Sequence, residues 1–484
     1  MAMASGLKIL MVSTEVAPYI KSGGLGDVAG SLPRELKKHN VDIRVCMPKY
    51  KDINYSIIEN MELIKSLKIN MGWRDTELDV YAFDDGVTHY LLDNGYYFNR
   101  KGLYDYDDDY ERFAFFSKAA VEFLFSIDFK PDIIHFNDWQ TGLGPIFLND
   151  FYRNYSFFEN TKSLYTIHNL QYQGKFGAQV LGDIGLNGSY NTPDKLEYYG
   201  NVSFMKGGIV YADKISTVSK TYAGEIQTPQ YSYGMDGVLR KRNADLVGII
   251  NGIDYDDNNP ETDKRLYANF SAANQGGKAV NKHSLKSDLG LEPGDMPLIG
   301  IISRMADQKG FDIISYVMEE LIHKDIQIVV LGTGESRYEN MFKHYAWRFK
   351  DKMSANIMFD TKLAQKIYAA SDMFLMPSLF EPCGLGQMIA MRYGAVPIVR
   401  RTGGLNDTVN NYDYNTGVGN GFVFNDYDGH GMMWAVNEAV HTYYNEKDHW
   451  KNIVTNCMKA DFSWEKSALE YIELYKNMSG KNDI

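Results

Sequence analysis

The sequence predicts two doubly wound α/β domains, each a largely parallel sheet covered by crossover helices, and three observations carry that prediction. Short β-branched and apolar runs alternate with helix-patterned segments over almost the whole chain, the order that yields parallel strands joined by helices. With 484 residues, 44% of them apolar, the chain is long enough to build two large cores and too apolar to stay disordered. Polar or glycine-rich turns recur directly after the apolar runs, at the strand ends where open α/β sheets bind ligands.

In the first half the strand candidates are, in order, "LKILMV", "VDIRVCM", "PDIIHF", "SLYTIH" and "KISTVS". In the second half they are "PLIGIIS", "IQIVVLG", "NIMFD", "DMFLMPS" and "AVPIVR". Between the two sets lies "NGIDYDDNNPETDKRLYANFSAANQGGKAVN", polar, rich in Asn and Asp and without strand pattern, which places a domain boundary there. The tail "FSWEKSALEYIELYKNM" carries Trp464, Ala468, Tyr471, Ile472 and Tyr475 at helical spacing, so the chain ends on an amphipathic helix.

Composition removes several function classes. A net charge of −12 argues against broad binding to nucleic acid or to a membrane surface, so an anionic ligand needs a local basic pocket. No apolar run approaches bilayer length, and the N-terminus has no basic region ahead of its apolar run and no small-residue cleavage site, so no signal peptide is expected. Three widely spaced cysteines (Cys46, Cys383, Cys457) exclude a disulfide framework and suit a reducing compartment. "DYDDDYER" imitates the start of a calcium loop through Asp105, Asp107 and Asp109, but Tyr110 and Phe116 occupy the positions that require glycine and glutamate. It reads as a solvated acidic loop.

The turns at strand ends carry the chemistry. In "YIKSGGLGDV", Gly23, Gly24 and Gly26 allow close backbone approach, the next helix offers free N–H groups, and Lys21 adds a point charge. The same residues also serve a tight strand–helix turn with a solvated lysine. A dinucleotide site is disfavoured, because the second strand ends in "RVCMPKY" without the acid that would hold a ribose, and the lysine–serine/threonine ending of a P-loop is missing. In "SRMADQKG", Arg304 and Lys309 place a guanidinium and an ammonium on one short loop, suited to a diphosphate or simply to solvent. Glu381 in "FEPCGLGQMIAMRYG" is a candidate catalytic carboxylate or only a charge at a helix start. His168 in "TIHN" and Asp138 in "FNDW" follow apolar strands at one end of the first domain, and each taken alone is as readily structural.

Together these segments resemble the bacterial glycogen synthases and plant starch synthases nearly end to end. The resemblance runs from "STEVAPYIKSGGLGDV" through "TIHNLQYQG", "GMDGVL" and "GIINGIDYDDNNPETD" to "ISRMADQKG", "FEPCGLGQMIAMRYGAVPIVRRTGGLNDTV" and "DFSWEKSALEYIELY". It implies a GT-B fold: two Rossmann-like domains facing across a cleft, with the last helix returning to the first domain. The expected division is 1–256 with 461–484 for the acceptor domain and 257–460 for the donor domain. The implied reaction moves glucose from ADP-glucose to the non-reducing end of an α-1,4-glucan with retention, in the cytoplasm and without metal or cofactor.

The same resemblance implies the site. Lys21, with Gly23 and Gly24, meets the donor diphosphate, Arg304 and Lys309 neutralise the leaving ADP, and Glu381 lies near the donor sugar. His168 stands beside the anomeric centre, Asp138 and Asn251 near the donor glucose, and the backbone of Cys383, Gly384 and Leu385 faces the sugar hydroxyls. Phe359 takes the place of the adenine-stacking aromatic. Phe98 of "YYFNRKG" belongs to the substrate-binding set, beside Asn99 where an aspartate is common, and Gly386 replaces a usual polar residue. A glucan phosphorylase-like enzyme and a non-catalytic glucan-binding protein are the alternatives weighed. Joint retention of Lys21, His168, Arg304, Lys309 and Glu381 counts against the second.

Overall fold

The computed structural model describes residues 6–481. The first five and last three residues, on which the signal-peptide expectation and the outermost domain limits partly rest, lie outside the described residues. The chain divides into two compact units, 6–252 with 464–481, and 253–463.

The first unit is built on a nine-stranded sheet. Its strands are β1 (Lys8–Val12), β2 (Asp42–Pro48), β3 (Glu62–Asn70), β4 (Asp75–Asp84), β5 (Thr88–Asp93), β6 (Ile133–Asn137) and β7 (Lys162–Ile167). A separate three-stranded sheet holds β8 (Lys175–Gly177), β9 (Glu197–Tyr198) and β10 (Asn201–Ser203), and the large sheet ends with β11 (Lys214–Thr217) and β12 (Leu246–Gly248). The order is β12-β11-β7-β6-β1-β2-β5-β4-β3. The pairs from β12 to β5 are parallel, and β4 and β3 add an antiparallel hairpin at one edge. That hairpin was not among the predicted strands, because β3 is exposed along nearly its whole length and shows no buried alternation. By contrast β1 is buried from Ile9 to Val12, as a strand covered on both faces must be.

The final helix, Trp464–Ser479, buries Trp464, Ala468, Tyr471 and Tyr475 in the first unit. Its Tyr475 hydroxyl lies 2.8 Å from Nδ1 of His135 on β6, and Ser467 Oγ donates to the Ile250 carbonyl at 2.6 Å. The acidic segment at 105–109 differs from expectation. Asp109 is buried and pairs with the fully buried Arg112, and Asp108 accepts a two-pronged bond from Arg100 at 2.6 and 2.7 Å. A buried guanidinium demands a carboxylate partner, and the loop supplies it.

The second unit carries six parallel strands: β13 (Leu298–Ile302), β14 (Gln327–Leu331), β15 (Met353–Asn356), β16 (Met373–Met376), β17 (Val396–Arg400) and β18 (Phe422–Phe424). Their order, β15-β14-β13-β16-β17-β18, is the 3-2-1-4-5-6 winding of nucleotide-binding sheets, which reverses between β13 and β16. The third strand is Met353–Asn356 and not the predicted "NIMFD". Asp360 instead caps the helix Thr361–Ala370, accepting from the Leu363 amide at 2.9 Å, and the Phe359 ring is 86% exposed. Among the described residues, no helix is long and apolar enough to cross a membrane.

Candidate active site

In the second unit the winding brings two distant loops together. The loop after β13 carries Arg304 and Lys309, and the loop after β16 carries Glu381. Lys309 Nζ lies 2.9 and 2.6 Å from the two carboxylate oxygens of Glu381, whose Oε2 also accepts from Ser378 Oγ at 3.0 Å. Glu381 is only 5% exposed. Arg304 is exposed and reaches Gln308 Oε1 at 3.3 Å.

Glycines give both loops their shape. A Cβ on Gly332 would stand 1.9 Å from the Ser303 carbonyl oxygen and one on Gly334 2.2 Å from that of Met305, so "LGTGE" is the seat on which "SRM" lies. Gly403 and Gly404 do the same for the Glu381 loop. Their added carbons would fall 1.9 Å from the Glu381 oxygen and 2.0 Å from the Cys383 oxygen, and the Gly404 amide donates to the Glu381 carbonyl at 3.0 Å. Gln387 Nε2 holds the Cys383 and Gly384 carbonyls at 3.2 and 2.9 Å, and Leu385 leads into the helix Gly386–Arg392.

In the first unit, sequence reasoning missed Glu15. Its buried carboxylate accepts from the Ser22 amide at 2.5 Å, Ser22 Oγ at 2.7 Å, the Gly23 amide at 3.1 Å and Tyr104 OH at 2.6 Å. It thus fixes the turn that presents Lys21, whose ammonium meets Asp27 at 2.6 Å. Nothing local marks Glu15 in the sequence, since its partners are set by how the turn folds back. A Cβ at Gly23 or Gly24 would meet no atom within 4 Å, and Gly23 has extended backbone, so the fold itself does not require glycine at either place. Gly26 differs: its Cβ would lie 2.4 Å from that of Lys21.

The ends of β6 and β7 bring Asp138 and His168 together. Asp138 sits at φ 57°, and its Oδ1 accepts from the His168 amide at 2.7 Å. Asn137 donates Nδ2 to the Val12 carbonyl at 3.0 Å, which turns its Oδ1 toward His168 Nε2 at 2.9 Å, so that nitrogen carries the proton. Burial pushes Asp138 up to about 7 and His168 down to about 3. Asn251 is buried, and its Oδ1 has no hydrogen-bond partner among the described residues.

Phe98 requires a correction. It is fully buried, its ring 5.6 Å from that of Tyr50 and 6.3 Å from that of Phe115, so it packs the core and presents no face to a ligand. An apolar residue in an aromatic-rich segment goes where the most area is removed from water.

His135, wholly buried, joins Tyr475 to Thr166 Oγ1 (2.6 Å), and burial and His168 hold it down to about 3. A histidine whose folded value lies below its unfolded one contributes stability that is complete above about pH 6.5 and lost as pH falls toward 3. The melting temperature should therefore drop on acidification through this window. His135→Gln, which can keep both hydrogen bonds, should flatten that slope, as measured by thermal unfolding across pH.

Comparison with known proteins adds the family evidence. Residues 8–241 match the model described as "Starch synthase catalytic domain", and residues 286–456 match "Glycosyl transferases group 1". The chain is 52% identical over 477 residues to the glycogen synthase of Clostridium acetobutylicum, covering 98% of this chain and 100% of the other. It is 50% identical over 479 residues to that of Clostridium novyi, with the same shares covered. The catalytic domain of starch synthase IV from Arabidopsis thaliana, bound to ADP and acarbose, superposes with a TM-score of 0.92 at 35% identity, covering 98% of this chain and 100% of that one.

Proposed function

The chain belongs to the glycogen synthase family of GT-B glycosyltransferases, and from that premise we propose that it transfers glucose from ADP-glucose to the non-reducing end of an α-1,4-glucan with retention of configuration. The observation that carries this reading is the Lys309–Glu381 pair at the reversal of a 3-2-1-4-5-6 sheet, the place where such sheets take nucleotides. Breaking a sugar–phosphate bond builds negative charge on the departing diphosphate and positive charge on the sugar. Fixed cations beside the first and a carboxylate beside the second lower the barrier without reorganising.

In this reading the unit 253–463 takes the donor, and the unit 6–252 with 464–481 takes the acceptor. Lys309 and Arg304 hold the diphosphate, Glu381 stabilises the anomeric carbon, and the exposed ring of Phe359 stacks on adenine. The backbone of Cys383, Gly384 and Leu385, held rigid by Gln387, faces the sugar hydroxyls. Lys21 supplies a phosphate-directed cation, and the open space over Gly23 and Gly24 supports close backbone approach there. His168, Asp138 and Asn251 serve the glucose, the unpartnered Asn251 oxygen suiting a hydroxyl donor. Three buried cysteines, none in a disulfide among the described residues, support a cytoplasmic setting.

A coupled assay for ADP release tests the reading. With glycogen as acceptor, ADP-glucose should be used in clear preference to UDP-glucose, and NMR of the product should show a new α-linkage. Preference for UDP-glucose, a β-linked product, or release of glucose 1-phosphate from glycogen with inorganic phosphate and no sugar nucleotide would defeat it.

A further inference from the structure

Two Tyr-Gly dipeptides in the first unit adopt one uncommon backbone conformation. Tyr199 and Gly200 have φ of 49° and 81°, and Tyr233 and Gly234 have φ of 50° and 87°. Tyr199 and Gly200 are the two-residue turn of the β9–β10 hairpin, in which Asn201 pairs with Tyr198. Positive φ at both centres is the turn that favours Asn-Gly or Asp-Gly, and an aromatic residue at its first place is strained. Such strain persists where the surroundings enforce it and something else gains from it.

The two tyrosines are neighbours. A Cβ on Gly234 would stand 3.0 Å from Cε2 of Tyr199 and 3.2 Å from its hydroxyl, so the Tyr199 ring lies over that glycine. The Tyr233 carbonyl is held from two sides, by the Tyr198 hydroxyl and by Gln173 Nε2 at 3.3 Å. Despite this anchoring both rings face solvent: Tyr199 is 78% exposed and Tyr233 40%. Tyr172, beside Gln173 and in the segment that leaves His168, is a third exposed ring at 47%. Packing engages only part of these rings: Tyr199 meets Tyr198 edge-on at 4.8 Å and lies over Gly234, yet most of its surface stays open to solvent above a fixed backbone.

We propose that Tyr199 and Tyr233, continued by Tyr172 toward His168, form a stacking platform for the α-glucan acceptor, and that the strained turns exist to present these rings. A glucan offers apolar C–H faces bordered by hydroxyl groups, which match an aromatic face with a phenol at its rim. The proposal rests on the α-glucan reading of the acceptor and extends it beyond the residue that receives glucose.

Tyr199→Asn separates binding from packing, because asparagine is the residue the turn itself prefers. In the full chain the variant should melt no lower than the parent. Its KM for glycogen should rise about tenfold, the ratio expected for one lost stacking contact, while its KM for ADP-glucose stays unchanged. Tyr199→Phe should keep the parent's glycogen KM, and Tyr233→Asn should weaken glycogen binding as Tyr199→Asn does. Gels containing glycogen read the platform by retardation alone, independently of turnover. Unchanged retardation and KM in both asparagine variants, or a lowered melting temperature with unchanged retardation, would overturn the platform. Absence of transfer from ADP-glucose by the parent, with glycogen retardation intact, would instead overturn the acceptor reading.

Discussion

Glu381→Gln should cut kcat by about a thousandfold, at the upper end of what removing one preorganised charge costs, while ADP affinity stays close to that of the parent. Glutamine keeps the size of the side chain and can still accept from Ser378, which now lies 3.0 Å from the carboxylate. It cannot supply the full negative charge that faces a developing positive centre. The split between lost turnover and retained ADP binding is the informative part, since an interaction made only in the transition state lowers kcat and kcat/KM together and leaves ground-state binding alone. Isothermal titration with ADP, beside steady-state kinetics, measures both halves. Equal losses in the two would assign Glu381 to holding the loop.

Lys309→Ala should lower kcat/KM by about 10²–10³-fold and weaken ADP binding as well, because the ammonium serves the diphosphate in ground and transition states alike. It should also destabilise the second unit. Glu381 is buried against Lys309 at 2.6 Å, and removing the cation leaves that carboxylate the Ser378 hydroxyl as its side-chain partner among the described residues. Stranding a buried charge costs about 3 kcal/mol, less here because the Lys309 side chain is partly exposed. The double variant Lys309→Ala/Glu381→Gln should recover most of that stability and none of the activity. Thermal unfolding and ADP-release kinetics on the three proteins decide it, and near-parental turnover in a folded Lys309→Ala protein would make the basic loop a solvated surface. Arg304 is exposed and does not pair with the buried Glu381 carboxylate that Lys309 neutralises, so Arg304→Ala should cost activity without stranding that charge.

Much of this was legible before folding. Buried parallel strands announce themselves as apolar runs, so β1, β2, β6, β7, β13, β14, β16 and β17 overlap predicted segments. Residues such as Asp138 and His168, directly after such a run, and Lys309 and Glu381, in the loops that follow one, could be singled out because strand ends are where ligands bind. The edge hairpin β3–β4 was not legible, since an exposed strand needs no apolar alternation. "NIMFD" misled because capping by Asp360 outweighs the strand propensity of one short apolar stretch.

What the sequence by itself determined is therefore the class of fold, the residue types available and their place along each strand. Which of them meet was decided only by tertiary structure. Lys309 and Glu381 are 72 positions apart and touch because the sheet reverses between β13 and β16. Glu15 gathers Ser22, Gly23 and Tyr104 because the turn after β1 folds back onto it. Phe98 went to the core and Phe359 to solvent, although each is a phenylalanine at the end of a short apolar or aromatic run followed by a polar residue. The physical reason is common to all three cases. Local pattern reflects energies between near neighbours in the chain, whereas burial and charge pairing depend on surfaces that come together only when distant strands take their order.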